Sequence, residues 1–130
     1  MILLDTNVVV AHLKGNATVT ARLMDRIEDL AIPALVVAEL DYGAKASARP
    51  AENLARLSAF LEGMGIVAFD EAAARQYGTL RAHLKTVGKP TGEIDALIGA
   101  VALAHGAVLV THNTRDFENI EGLTFEDWLA

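Results

Sequence analysis

Four acids in this 130-residue chain sit beside apolar sequence rather than within runs of charge: Asp5, Glu39, Asp95 and Asp116. Asp5 directly follows Ile2-Leu3-Leu4, and Asp116 comes shortly after the apolar run 107–110. Asp95 stands near the start of a helical stretch that is small and apolar from 96 to 104, and Glu39 is flanked by Val36, Val37, Ala38 and Leu40. Four carboxylates brought together repel, and the repulsion raises their pKa values unless cations enter. Hard divalent ions with oxygen ligands, Mg²⁺ or Mn²⁺, are the natural remedy. Such ions activate water and stabilise charge on a phosphate in transit, which is the logic of metal-dependent phosphodiester cleavage.

Each acid also has an ordinary explanation. Asp5 is a good helix cap before the stretch 8–13, and Asp95 occupies a first-turn position favoured by the helix dipole. Glu39 suits a solvated helix surface, and Asp116 lies in a Thr-His-Asn-Thr-Arg-Asp stretch of common turn residues. Glu93 could join the four as a fifth ligand, but a capping role fits it better. His12, His83, His105 and His112 show no metal-ligand spacing, and His105 reads as a helix C-terminal residue.

The elements that would position these acids follow from the hydrophobic pattern. Residues 2–4 read as a short strand, 18–30 as an amphipathic helix with Val19, Leu23, Met24, Ile27 and Leu30 on one stripe, and 31–33 as a brief extended segment. Residues 34–46 form a helix whose packing faces hold Leu35, Val36, Ala38, Leu40 and Tyr42. Residues 51–64 form another helix, and 66–69 a buried strand closed by Asp70, which caps the helix 71–87. Gly88-Lys89-Pro90-Thr91-Gly92 is the clearest loop. Then come the helix from Glu93 to about His105, a turn at Gly106, a strand over 107–111, a polar loop, and an edge strand at 123–125. The run 107–110 is continuously apolar rather than alternating, the mark of a central parallel strand. Strands alternating with helices predict a mostly parallel sheet of four or five strands with helices on both faces, in a single domain spanning 1–130. In such a sheet Asp5 and Asp116 lie at the same carboxyl-end rim, where open α/β folds place their ligands.

Composition narrows the classes further. Hydrophobic residues make up 52% and charged residues 22%, which suits strands buried on both faces. The longest apolar run, 96–104, is far below the ~20 residues of a membrane span, and the chain enters its first strand without a signal peptide, so a cytoplasmic protein without membrane association is expected. There is no cysteine, hence neither a disulfide nor a thiolate metal site. Net charge is −6: residues 93–130 carry seven acids and one base, Arg115, whereas residues 1–92 carry ten of each. Binding of nucleic acid by broad phosphate neutralisation alone is therefore not expected. Nucleic acid would need either a local track among the bases between Lys45 and Lys89, or cations.

In Leu3-Leu4-Asp5-Thr6-Asn7, Val37-Ala38-Glu39-Leu40 with Tyr42-Gly43, Asp95-Ala96-Leu97-Ile98, and Val110-Thr111-His112-Asn113-Thr114-Arg115-Asp116-Phe117, the chain resembles the PIN domains, and among them the VapC-type toxins of toxin–antitoxin pairs. The order and spacing agree from Met1 to about Trp128. The resemblance implies a three-layer α/β/α fold and an endoribonuclease whose Asp5, Glu39, Asp95 and Asp116 hold one or two Mg²⁺ or Mn²⁺ ions. It also implies that Thr111 and Asn113 support the last acid and Thr6 and Asn7 the first. It implies a homodimer and a cognate antitoxin protein whose tail enters the site, with RNA as substrate. Gly99 departs from the Ala more usual in the family, a matter of packing.

Two rivals remain. A receiver-like phosphoacceptor domain would want paired acids after the first strand and a late lysine, but Thr6 and Asn7 follow Asp5 and no lysine follows Lys89. A catalytically silent PIN-like binding module would not need all four acids.

Overall fold

The computed structural model describes residues 1–89 and 91–129; Pro90 of the expected loop and Ala130 lie outside them. Five short parallel strands form the central sheet in the order β3-β2-β1-β4-β5: β1 (Ile2–Leu4), β2 (Leu30–Pro33), β3 (Gly65–Val67), β4 (Val108–Val110) and β5 (Thr124–Glu126). Helices α1 (Thr6–Leu13) and α2 (Ala17–Asp25) link β1 to β2, and α3 (Ala34–Lys45) and α4 (Pro50–Leu61) link β2 to β3. Helices α5 (Glu71–Val87) and α6 (Glu93–His105) bring the chain back to β4, and α7 (Thr114–Phe117) precedes β5.

Handedness assigns the layers. The first two crossovers step from β1 toward β3, and the last two step the opposite way, from β3 to β4 and on to β5. Right-handed connections therefore place α1–α4 on one face and α5–α7 on the other, giving α/β/α. The order reverses between β1 and β4, so the crevice at their carboxyl ends is the sheet's topological switch point.

The core follows the apolar pattern. Leu3, Leu4, Ile32, Leu109 and Val110 are fully buried in the sheet, and Ala96, Ile98, Ala100, Val101 and Ala102 bury α6 from several sides. Left-handed glycines, Gly88 (φ 66°) and Gly106 (φ 58°), stop α5 and α6. Asp70 caps α5 by accepting from Ala73 N at 3.0 Å, as its place before the helix predicts.

Several boundaries differ from the pattern-based expectation. The stretch 18–30 is not one helix: α2 ends at Asp25, a 3-10 turn covers Ile27–Asp29, and Leu30 pairs with Ile2 in the sheet. Pairing buries Leu30 in the core, while Met24 and Ile27 are left exposed. The strand expected at 66–69 is shorter and not buried; β3 is an edge strand whose Ile66 faces solvent, because apolar sequence does not reveal which strand ends the sheet. On α3 the buried stripe is Val36, Leu40 and Ala44, and Tyr42 points outward, 73% exposed.

Candidate functional site

Asp5 occupies the position after β1 where the chain turns into α1. It is the N-cap of α1, as the ordinary reading of this residue expects. Its Oδ1 accepts from Thr6 N at 2.8 Å, while Oδ2 accepts from Thr111 Oγ1 at 2.7 Å and Asn7 Nδ2 at 3.3 Å. Thr111 is fully buried immediately after β4, the neighbouring strand, so its hydroxyl supports the first acid rather than the last as the resemblance implied, and Asp5 N donates to Val110 O across the same gap. Only 3% of Asp5 is exposed. Burial pushes its carboxyl above the ordinary value and repulsion from Glu39 adds to the rise, against the opposing hydrogen bonds from Thr111, Thr6 and Asn7.

Glu39 reaches the same rim from the middle of α3. Thr6 Oγ1 donates to its Oε1 at 2.6 Å, so this hydroxyl orients Glu39, whereas support for Asp5 comes from the backbone of Thr6. Asp95 lies in the first turn of α6, with Gly92 as the N-cap and Glu93 exposed beside it. The expected polar loop after β4 contains α7, which carries Asp116; Phe117 in that helix is fully buried and fastens it to the core. Asn113 then joins the two acids, its Nδ2 donating to Asp95 Oδ2 at 2.7 Å and to Asp116 Oδ2 at 2.6 Å.

The electrostatic result is concentrated at Asp95. Its carboxyl is pushed up to about 7, chiefly by burial, then by the charges of Asp5 and Asp116, a hydrogen bond with Asp116 and the charge of Glu39. The charges of the other three acids thus all reach Asp95 at the switch point. The four acids do not yet share a coordination point: among the described residues, no three acid or imidazole side chains are placed to hold one ion. Both observations are compatible, since carboxylates interact through space over longer distances than a metal–oxygen bond spans. Magnesium commonly takes only one or two carboxylates and keeps several waters. The donors at the rim are oxygen atoms, which suits a hard cation.

Three contacts have no signal in the local sequence pattern. Thr91 Oγ1 donates to the backbone oxygen of Asp116 at 3.1 Å, tying the loop before α6 to α7. Asn7 Oδ1 accepts from His112 N at 3.0 Å, and His112 Nδ1 lies 3.0 Å from Asp127 Oδ2. Each joins residues distant in the chain, which periodicity and capping rules do not see.

A parallel sheet with acids gathered at its switch point defines an open α/β protein whose polar side chains converge at the carboxyl-end crevice. The PIN domain model matches residues 2–123, and the chain belongs to that family. It is 37% identical over 127 residues to the tRNA(fMet)-specific endonuclease VapC of Shigella flexneri, covering 97% of this chain and 96% of that protein. It is 34% identical over 128 residues to the ribonuclease VapC2 of Haemophilus influenzae, covering 98% and 97%. Among solved structures, VapBC2 from Rickettsia felis bound to a DNA fragment from its promoter matches with a TM-score of 0.92 at 33% identity, covering 98% of this chain and 99% of that one.

Proposed function

We propose that this protein is a Mg²⁺- or Mn²⁺-dependent endoribonuclease and the toxin of a toxin–antitoxin pair, hydrolysing RNA phosphodiester bonds at Asp5, Glu39, Asp95 and Asp116. The observation that carries the reading is the convergence of four acids from distant parts of the chain at the switch point, where Thr111 Oγ1 donates to Asp5, Thr6 Oγ1 to Glu39, and Asn113 Nδ2 to both Asp95 and Asp116. Carboxyls raised by burial and by neighbouring like charges, as at Asp95, are concentrated at functional sites. The names of the relatives point to the same activity, and their VapBC complexes point to an antitoxin partner. A cytoplasmic homodimer is part of this reading. Among the described residues no helix is long and apolar enough to cross a membrane.

When bound, a divalent ion supplies Lewis-acid stabilisation of phosphate charge and lowers the pKa of a water molecule. The chain supplies the placement. Thr111 and the Thr6 amide hold Asp5 in one orientation, Thr6 Oγ1 holds Glu39, and Asn113 holds Asp95 and Asp116 side by side. With its carboxyl raised to about 7, Asp95 is about half protonated at neutrality, and a bound cation would favour its charged form.

The test is a cleavage assay on a varied RNA panel that includes initiator tRNA, the target in the name of the Shigella relative. Cleavage should require Mn²⁺ or Mg²⁺ and vanish in Asp5→Ala and Asp116→Ala. Folded protein that cuts nothing with either ion would overturn the proposal.

A further inference from the structure

Besides the acids, the most uneven charge distribution on the molecule lies along α5 and the loop behind it. Residues 71–92 contain four bases, Arg75, Arg81, Lys85 and Lys89, and one acid, Glu71. Arg75 is paired with Glu71 at 3.0 Å. The other three enter no ion pair among the described residues, in a chain whose net charge is −6.

Their placement is regular. Arg81 and Lys85 are four residues apart on α5, and Lys89 continues the row just past the left-handed Gly88. Like charges at this spacing repel on a helix surface, so local stability gives no reason for the row. Arg81 is held on its side of the helix by Tyr77: Nη1 donates to the phenol oxygen at 2.8 Å, and the guanidinium lies 5.5 Å from the ring centre. The three bases line one open groove of about 730 Å³, together with Leu84, Gly88 and Thr91. Thr91 is the residue whose hydroxyl holds the backbone of Asp116, so the groove runs to the edge of the carboxylate rim.

The geometry points to this groove as the track for the RNA backbone on one side of the scissile bond, with Arg81, Lys85 and Lys89 each meeting a phosphate. This rests on the nuclease reading and adds the path of the strand to it. Carboxylates at the centre repel a polyanion, and an adjoining row of unpaired cations supplies attraction next to the rim. Point-like ammonium groups and one guanidinium suit sequence-independent phosphate contact, so the groove anchors the strand without selecting bases.

The test compares the full-length protein with Arg81→Ala/Lys85→Ala/Lys89→Ala, and with a charge-matched control, Arg22→Ala/Arg26→Ala/Lys45→Ala, placed on the other helical layer. All six side chains are exposed, and circular dichroism checks the fold of both variants. Binding of a single-stranded RNA oligonucleotide is measured with EDTA present, so that no strand is cut. The groove variant should bind about tenfold to a hundredfold more weakly at low salt, and the slope of log K against log salt should fall by about 2, from about 0.7 per single-strand phosphate contact. With Mn²⁺ its KM should rise while kcat stays within about twofold, since these residues act on binding rather than on the reacting atoms. Equal affinity and slope for parent and groove variant, or an equal loss in the control, overturns the inference even if the parent cuts RNA. Loss of antitoxin binding with RNA binding intact also overturns it and makes the groove a protein-docking surface. Groove-dependent RNA binding by a parent that cuts nothing would support the track and sink the nuclease reading alone.

Discussion

Replacing Asp95 with asparagine should abolish cleavage and at the same time stabilise the metal-free protein. In the fold its carboxyl titrates at about 7 rather than 3.8, so the native state holds a proton that the unfolded chain has already released between those values. Stability contributed by this site therefore falls as pH rises from about 4 to about 7 and is flat above. At face value the rise corresponds to about 4 kcal/mol at alkaline pH, but Asp95 is only partly buried, and solvent screening reduces this to about 1–2 kcal/mol. Asparagine keeps the shape: its oxygen can accept from Asn113 Nδ2, and its amide can donate to Asp116. Chemical denaturation with EDTA at pH 8 should show the variant more stable by about 1–2 kcal/mol, or roughly 3–8 °C in Tm for a chain of this size. At pH 4, where the native aspartate is already protonated, the gap should close. Saturating Mg²⁺ should narrow it at pH 8 as well, since a ligand at a hundred times its Kd stabilises the parent by about 2.7 kcal/mol and the variant has lost an oxygen anion for it. A variant no more stable than the parent at pH 8, or an advantage that persists unchanged at pH 4, would refute the claim that burial and the neighbouring acids hold this carboxyl raised.

Other perturbations read different parts of the site. Thr111→Val removes the buried hydroxyl that donates to Asp5 Oδ2 and accepts from Asn113 N, so it should cost about 1–3 kcal/mol in urea denaturation and raise the Mg²⁺ concentration needed for half-maximal cleavage. Phe117→Ala opens a cavity beneath α7 and should destabilise by about 3–5 kcal/mol, with cleavage lost below the unfolding temperature as Asp116 loses its support. Gly99→Ala should change stability by less than about 1 kcal/mol. An added Cβ would stand 2.7 Å from Ile120 Cδ1, the far end of a flexible side chain, and the rotamer shift of about 0.5–1.5 kcal/mol offsets the helix-propensity gain of about 1 kcal/mol. Thermal melts measure the difference, and a loss of several kcal/mol would mean that the contact between α6 and Ile120, just beyond α7, is rigid.

The sequence by itself determined the features that short-range physics controls. Apolar runs located β1 and β4, Asp70 and Gly106 marked helix ends, and alternation of strands and helices implied a parallel sheet with covered faces. Parallel topology was enough to put Asp5 and Asp116 at one rim, because connections through helices return each strand in the same direction. Tertiary structure alone decided the rest. Leu30 belongs to a strand because its partner Ile2 is available in the sheet, a pairing no local window contains. Ile66 is exposed because β3 is an edge. The Thr6 hydroxyl serves Glu39, 33 residues away, rather than its neighbour Asp5, and Asn113 spans two acids from separate helices. Residue types and spacing can nominate carboxylates, but the energy of a carboxylate depends on what surrounds it in space. That is why the raised carboxyl of Asp95 became visible only once crossovers and sheet order had brought four distant parts of the chain to one switch point.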